Sequence, residues 1–431
     1  MISLILELVK VGLILKEVEV IEKLKKGEIH LHEIEKFTDG DINKATKLRL
    51  KFIEEVAGTK LENIGNYTMD MSVTASRNIE NPIGIAALPL GIAGPLKVNG
   101  EIAQGEYYIP LATTEGALVA SVNRGCTIIT KSGGATVRII KNLMTRAPVL
   151  KLLEPPFVEN AQKLVSWVQD NFETFKKIFL NVDPFASLEE IQTWILGRNV
   201  FIRFLVFPAD AMGMNMITTG SEKACRYMEE NAPIRCELVA TSGNMCVDKK
   251  PSAVNYILGR GKTVQAEVTL DRALIEDVLK TTPEAMVDVV FRKIYLGSGQ
   301  AAAYGLNSHV ANIVAAMFIA TGQDPAQVVE GSMGIVTAEV LEDKNLYFSL
   351  MLPSLEIGTT GGGTHLPTQR EALSIMDCYG YYKDRPPGTK SQKFGEIIAS
   401  AALAGEISLC AALAAGHLAS SHERLGRGKK T

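Results

Sequence analysis

Four ionisable residues stand in surroundings that ordinary solvated chain does not offer. Glu115 lies in Leu111-Ala112-Thr113-Thr114-Glu115-Gly116, between threonines and a glycine. Lys249 is near the end of the polar loop Thr241-Ser242-Gly243-Asn244-Met245-Cys246-Val247-Asp248-Lys249-Lys250-Pro251. Asp324 sits in Thr321-Gly322-Gln323-Asp324-Pro325, and His422 ends Gly416-His417-Leu418-Ala419-Ser420-Ser421-His422. Two carboxylic acids, an amine and an imidazole, once gathered, are suited to proton transfer and charge stabilisation. Each also has a plainer reading. A first-turn glutamate complements a helix dipole, a lysine pair is solvated surface, and Asp before Pro makes a surface turn. A buried lysine there would need Asp248 or another carboxylate as its partner, and an aspartate buried past a helix C-terminus would have its pKa raised.

Other segments suit a nucleotide. Asp210-Ala211-Met212-Gly213-Met214-Asn215-Met216 puts an acid, a glycine and an asparagine at a strand-to-helix turn, a natural anion or dinucleotide site. The run Gly358-Thr359-Thr360-Gly361-Gly362-Gly363-Thr364 lets main chain lie against a planar ligand. Gly259-Arg260-Gly261-Lys262-Thr263 resembles a P-loop tail, but Tyr256 stands where the first glycine belongs, so it is discounted. Gly297-Ser298-Gly299-Gln300-Ala301-Ala302 fits a Rossmann fingerprint and stays as a runner-up.

These residues need a sizeable scaffold. A chain of 431 residues, 46% hydrophobic and 22% charged, makes two or three ordinary globular domains. A net charge of −3 gives no electrostatic case for nucleic acid or an anionic membrane surface. Six scattered cysteines form no CxxC pair, which argues for reduced thiols and against a zinc knot. His30 and His32 have no third ligand nearby, so no metal is expected. Residues 1–15 are too short and too charged to span a bilayer and read as a docking helix, and a cytoplasmic protein is expected.

Residues 1–80 read as a helical lead-in. The segment 80–94, apolar and punctuated by Gly and Pro, reads as buried and irregular. Val98-Asn99-Gly100-Glu101 signals a hairpin, and Thr113 reads as the N-cap of the helix that carries Glu115 in its first turn. Residues 147–241 read as a smaller α/β unit, with one amphipathic helix over 158–179 and a strand over 200–207. A helix starting near Asn307 ends before Asp324, 350–355 is a strand, and the Ala-rich segment 397–418 is a tightly packed helix.

The motifs Ala112–Gly116, Asp210–Met216, Gly243–Lys250, Gly322–Asp324 and Gly416–His422 occur in the order seen in 3-hydroxy-3-methylglutaryl-CoA reductases. The chain resembles the soluble archaeal type of the class I family over about Glu80–His422. That resemblance implies an α+β subunit: a helical region (1–80), a large substrate domain with a long central helix (81–146 and 252–431), and an inserted ferredoxin-like cofactor domain (147–241). Residues 242–251 would be a connecting catalytic loop. It implies a homodimer or dimer of dimers with active sites between subunits, and reduction of a thioester by two hydrides to give mevalonate and coenzyme A.

Carried over residue by residue, Lys249 matches the oxyanion stabiliser, Glu115 the proton donor, and Asp324 the carboxylate holding the network. His422 matches the acid that protonates the departing thiolate. Arg146, Ser242, Asp248, Lys250 and Lys293 resemble the pocket for the hydroxymethylglutaryl group. Ser121, Asn123, Arg124 and His309 resemble coenzyme A contacts, and Asn312 an active-site amide. Asp210, Met212, Gly213, Met214, Asn215 and Gly361, Gly362 and Gly363 resemble dinucleotide contacts. NADPH is the family expectation. Where NADPH-using relatives carry Ser-Arg or Thr-Arg, however, this chain has Asp183-Pro184, and an aspartate there points to NADH. Gly428 stands where animal enzymes carry a regulatory serine, so by this resemblance neither that switch nor the animal membrane anchor is expected. The competing readings are another dinucleotide-dependent acyl-CoA dehydrogenase built on Gly297–Ala302, and a non-catalytic CoA- or nucleotide-binding relative.

Overall fold

The computed structural model describes residues 17–416. Residues 1–15, His422 and Gly428, on which expectations were placed above, lie outside the described residues. The chain divides between Pro89 and Leu90 into two compact units.

The first unit is helical, as its sequence implies. Its longest helix among the described residues, α1 (Ile42–Ala57), starts where Asp41 accepts a hydrogen bond from the Lys44 N–H at 3.0 Å. It ends at Gly58, a left-handed glycine that closes the last turn. A small apolar cluster of Val20, Leu24, Ile34, Ala45 and Leu48 holds the unit together. The buried Arg49 ties it further, donating to the Leu31 carbonyl at 2.9 Å and pairing with Glu35.

The second unit opens with the expected hairpin, β1 (Leu90–Asn99) and β2 (Gln104–Ala112), then α2 (Leu118–Lys131) and β3 (Ala135–Arg146). There follow β4 (Val149–Leu152), α3 (Phe157–Asp170), α4 (Phe172–Leu180), β5 (Ser187–Leu196), β6 (Asn199–Phe207), α5 (Met214–Asn231) and β7 (Cys236–Ala240). After α6 (Ala253–Leu258) come β8 (Gly261–Leu270), α7 (Pro283–Val289), a π-helical stretch Val290–Gly297, and α8 (Val310–Thr321). The hairpin β9 (Ile335–Val340) and β10 (Leu346–Leu355) precedes the long α9 (Thr389–Ala414).

Strand order is β7-β4-β6-β3-β8-β10-β9, with β5 on β6 and β1 on β3. The segment β4 to β7 is therefore a β-α-β-β-α-β unit with its strands in the order β7-β4-β6-β5, the split βαβ arrangement. Strand β3 belongs to both halves. Its first part pairs with β8, whereas Met144–Arg146 pair with β6, so Arg146 stands where the two meet. One apolar cluster is built from α2, α8, α9 and the strands that flank them. A second runs from Met144 to Cys236.

Helix α9 is the spine of the larger cluster. Its most apolar window has mean hydropathy 1.9, enough to cross a membrane by composition, yet 83% of that window is buried inside the protein. Small residues allow this. A Cβ on Gly125 of α2 would lie 1.9 Å from the Ala404 oxygen of α9, so the two helices meet backbone to backbone.

Several local expectations are corrected. The helix expected over 158–179 is two helices broken at Asn171, whose side-chain amide donates back to the Trp167 carbonyl at 2.8 Å. The segment expected to be buried before Gly94 is largely exposed, with Leu88, Leu90 and Ile92 each near half accessible. Gly297–Ala302 follows a helical stretch, so the strand-to-helix turn of a Rossmann site is missing there. Gly261–Thr263 lie inside β8, which disposes of the P-loop likeness as well.

Candidate active site

The loop from Thr241 to Pro251 joins β7 to α6 in a strained conformation. Asn244 (φ 63°), Val247 (φ 44°) and Lys249 (φ 60°) are left-handed without being glycine. Each such residue costs on the order of 1–3 kcal/mol and persists only where its surroundings over-determine it. The surroundings here are explicit. The Asn255 amide donates to the Cys246 and Val247 carbonyls, each at 3.0 Å, and the Lys249 N–H donates to Glu330. With its backbone pinned, Lys249 extends its ammonium to Asp324, 2.8 Å away. That hydrogen bond raises the lysine pKa above its ordinary value, so the group is a cation at neutral pH.

Asp324 reaches this position from a turn. Helix α8 ends at the left-handed Gly322, and Asp324 caps a short 3-10 turn over Pro325–Gln327, accepting from the Ala326 N–H at 3.1 Å. It thus stands at a favourable N-cap, not against an unfavourable C-terminus as its sequence implied.

Glu115 also departs from expectation. Helix α2 begins at Leu118 after a left-handed Ala117, and the Thr113 hydroxyl accepts from the Glu115 N–H at 3.0 Å within the preceding turn. Thr113 is therefore not an N-cap, and Glu115 is exposed, with no side-chain hydrogen bond or ion pair to the described residues. Lysine and Asp324 carboxylate meet within one chain; Glu115 does not join them there. Nor is the pair dry in the single chain, since the Lys249 and Asp324 side chains are 45% and 30% exposed.

Below this pair lies a buried charge cluster. The Arg260 guanidinium, fully buried, contacts Asp248 at 2.9 Å, Glu330 at 3.4 Å and Glu356 at 2.6 Å. Burial raises the pKa of Glu330 and pushes that of Glu356 well above the ordinary carboxylate range. For Asp248, burial acts in the same direction, but Arg260, Gln327 and Arg146 outweigh it and its pKa falls. The three carboxylates could in principle hold a metal ion, but the guanidinium already fills the space between them.

Of the residues expected in the acyl pocket, Ser242, Asp248 and Lys250 share this loop and Arg146 stands beside it, whereas Lys293 lies on the π-helical stretch, where its charge acts on Glu406. Arg146 donates to Thr218 at 3.0 Å and lies 3.7 Å from Asp248, while the Ser242 hydroxyl is 3.5 Å from the Cys246 sulfur. Lys250 folds back onto the Asp248 carbonyl at 3.0 Å. Burial works to raise the Cys246 thiol pKa, but Ser242, Arg260, the Ala147 backbone and Arg146 together bring it below its ordinary value.

The residues expected on the coenzyme A side converge on one stretch of α9. Ser121 and Arg124 both bond to Ser408, the latter at 3.1 Å and, to its carbonyl, 2.6 Å. The His309 ring bonds the Gly405 carbonyl at 2.8 Å, with the Asn312 amide 3.4 Å from its other nitrogen. Glu406, fully buried, accepts from the Ser308 and His309 N–H groups; burial raises its pKa above the ordinary value, although these two bonds and the charges of His309 and Lys293 act in the opposite direction. Asn123 instead accepts from the Gly94 N–H at 2.9 Å. These side chains hold the helices in place as well as lining a surface.

The two expected dinucleotide segments meet. Ala211 forms a parallel bridge with Thr360, and the Thr359 N–H donates to the Asp210 carbonyl at 2.8 Å. The Asp210 carboxylate is buried, with its two oxygens taken by the Gly388 and Ser391 N–H groups at the start of α9, so it anchors the loop. Met214 turns inward, its sulfur 2.7 Å from Arg260, while Met212, Gly213 and Asn215 remain at the opening of α5. Gly213 is left-handed at φ 95°, a conformation that favours glycine, and presents the N-terminus of that 18-residue helix. Main chain is accessible at the glycine run, where nothing lies within 4 Å of a Cβ placed on Gly361 or Gly362. Gly363 by contrast packs on Gly322, and the Gly358 N–H donates to the Gln323 side chain at 2.9 Å. The glycine run is thereby fastened to the segment that carries Asp324. These residues fit a dinucleotide.

Arg260, Glu330 and Glu356 were missed from sequence. Arg260 sat inside the discounted P-loop likeness. Glu356 carried a signal of its own, a carboxylate directly following the apolar strand 350–355, where an unpaired charge is expensive to bury.

Comparison with known proteins identifies the family. The family model for hydroxymethylglutaryl-coenzyme A reductase matches residues 45–427. The chain is 51% identical over 410 residues to the 3-hydroxy-3-methylglutaryl-coenzyme A reductase of Pyrococcus abyssi, covering 95% of this chain and 99% of the relative. It is 50% identical over 413 residues to that of Methanocaldococcus jannaschii, covering 95% and 99%. A solved class II enzyme of Streptococcus pneumoniae, bound to NADPH in open conformations, shares the fold with a TM-score of 0.64 at 19% identity, covering 85% of this chain and 96% of that one. Both the family match and the full-length relatives show that the chain belongs to the hydroxymethylglutaryl-coenzyme A reductase family.

Proposed function

We propose that this protein reduces 3-hydroxy-3-methylglutaryl-CoA to mevalonate and coenzyme A, using two hydrides from a reduced nicotinamide dinucleotide, as a cytoplasmic class I reductase. The observation that carries the reading is the Lys249–Asp324 pair on a segment fastened to the glycine run, which brings a fixed cation close to a dinucleotide site. The dinucleotide supplies hydride at the acyl carbon. Lys249 stabilises the oxyanion that forms as the thioester carbonyl is reduced, and Asp324 holds the ammonium charged and in place. Arg146 and Lys250 receive the free carboxylate of the acyl group. Glu115 donates the proton in the aldehyde step, and His422 protonates the departing thiolate so that it cannot re-attack.

Two features support a site completed by a second copy of the chain. Glu115 is exposed and unpartnered among the described residues, and Leu90, Ile92 and Tyr108 of the neighbouring hairpin leave apolar surface in water. A homodimer or dimer of dimers would cover both.

The test is direct. Purified protein should consume reduced nicotinamide only when the acyl-CoA is present, two equivalents per mevalonate formed. Lys249→Ala should lower kcat by at least a factor of about 100, the scale of a lost oxyanion partner. Absence of cofactor oxidation with both NADPH and NADH would overturn the assignment.

A further inference from the structure

We propose that Lys383 and Arg385, in the loop leading into α9, bind the 2′-phosphate of NADPH and so supply the positive charge that Asp183-Pro184 lack. The inference rests on the reductase reading and names which cofactor its dinucleotide site prefers. A cavity of about 540 Å³ is lined by Asp183 and Phe185, by Tyr381, Tyr382, Lys383 and Arg385, and by Asp210, Ala211 and Thr360. Those last three belong to the backbone that joins the two dinucleotide segments, so the cavity is continuous with the expected cofactor track.

The charges in the cavity are unequal in availability. Asp210 has its two carboxylate oxygens committed to the Gly388 and Ser391 N–H groups. Asp183 has Oδ1 committed to its own turn, accepting from the Phe185 N–H at 2.8 Å. Lys383 and Arg385, by contrast, are exposed and form no ion pair with any described residue. Arg385 is oriented by an aromatic ring. Its guanidinium lies 4.7 Å from the centroid of Tyr382, whose hydroxyl donates to Asp377 at 2.7 Å, itself paired with Lys393 at 2.8 Å. A guanidinium held over an aromatic ring, two residues from a second cation, is suited to a phosphate dianion and gains far less from a neutral 2′-hydroxyl. Asp183 then moderates the affinity without choosing the cofactor.

Binding of adenosine 2′,5′-bisphosphate and of 5′-AMP, measured by calorimetry, tests this without turnover. Wild-type protein should bind the bisphosphate at least tenfold more tightly. The K383M/R385M variant should lose that preference while keeping its affinity for 5′-AMP. In steady state the same variant should raise KM for NADPH at least tenfold, with kcat within about threefold and NADH kinetics unchanged. Equal affinities in the wild type, or a variant that weakens both ligands alike, would overturn the proposal. A wild-type protein that prefers the bisphosphate yet turns over no acyl-CoA would sink the reductase reading and leave the phosphate site standing.

Discussion

Arg260→Met removes a buried cation that touches three carboxylates at once. Glu356 is already pushed well above its ordinary pKa by burial, so it carries a proton cost even in the native protein. Without the guanidinium, Glu330, also fully buried, has to be held neutral too. Counted from the ordinary value of 4.5, this costs at most about 3.4 kcal/mol at pH 7, at 1.36 kcal/mol for each of roughly 2.5 pH units, part of which the raised native pKa already carries. Mutations that break buried ion pairs cost about 3–5 kcal/mol, a range that this ceiling reaches. For 431 residues the unfolding entropy is about 0.9 kcal/mol/K, which makes the expected fall in Tm at most about 4 °C.

The pH dependence separates this cause from lost packing. A carboxyl with a raised pKa binds more protons folded than unfolded above pH 4.5, so the stability it contributes falls as pH rises through that window. At pH 5 the cost shrinks to at most about 0.7 kcal/mol, under 1 °C. Thermal unfolding followed by circular dichroism at pH 5 and pH 7 should show the deficit growing with pH. Adding Glu330→Gln to Arg260→Met should restore most of the loss at pH 7. A deficit equal at both pH values, or untouched by the second substitution, would refute the electrostatic account.

Three further outcomes follow from the same structure. Asp324→Asn removes the bond that raises the Lys249 pKa, so the alkaline limb of kcat/KM should move to lower pH with little change in Tm. Lys262 is fully buried, which pushes its amine down to about 8 from 10.5. The folded state therefore binds fewer protons than the unfolded between those values, and stability rises with pH across them. Relieving that cost, about 3 kcal/mol at pH 7, Lys262→Met should raise Tm by a few degrees at pH 7, and the gain should fade by pH 9.5. Gly125→Ala drives a methyl into the Ala404 carbonyl and should lower Tm by several degrees, because backbone on both sides has to move. A Gly125→Ala protein as stable as the wild type would mean that α2 and α9 are not in contact there.

Much of the scaffold was legible because local rules agreed with the global fold. The Val98–Glu101 hairpin, the strand at 200–207, the strand-to-helix turn at Asp210–Met216 and the apolar strand ending at Leu355 all carried matching propensity, pattern and turn chemistry. The errors came where a side chain competed with that pattern. Thr113 forms a turn with Glu115 in place of a cap, and Asn171 takes a carbonyl from what reads as one helix. The Rossmann likeness at Gly297 failed for a different reason, since the apolar run before it is helical and short runs look alike in either state.

By itself the sequence determined which groups matter and the order in which they occur: a lysine in a polar loop, an aspartate between glycine and proline, and a glycine run after an apolar strand. Motif identity is local, and residue type with spacing is enough to carry it. Tertiary structure alone decided that Lys249 faces Asp324, that Gly363 rests on Gly322, and that Arg260 neutralises carboxylates 12, 70 and 96 residues away. A buried charge is stable only when its partner arrives, and chain separation carries no record of which partner folding will deliver.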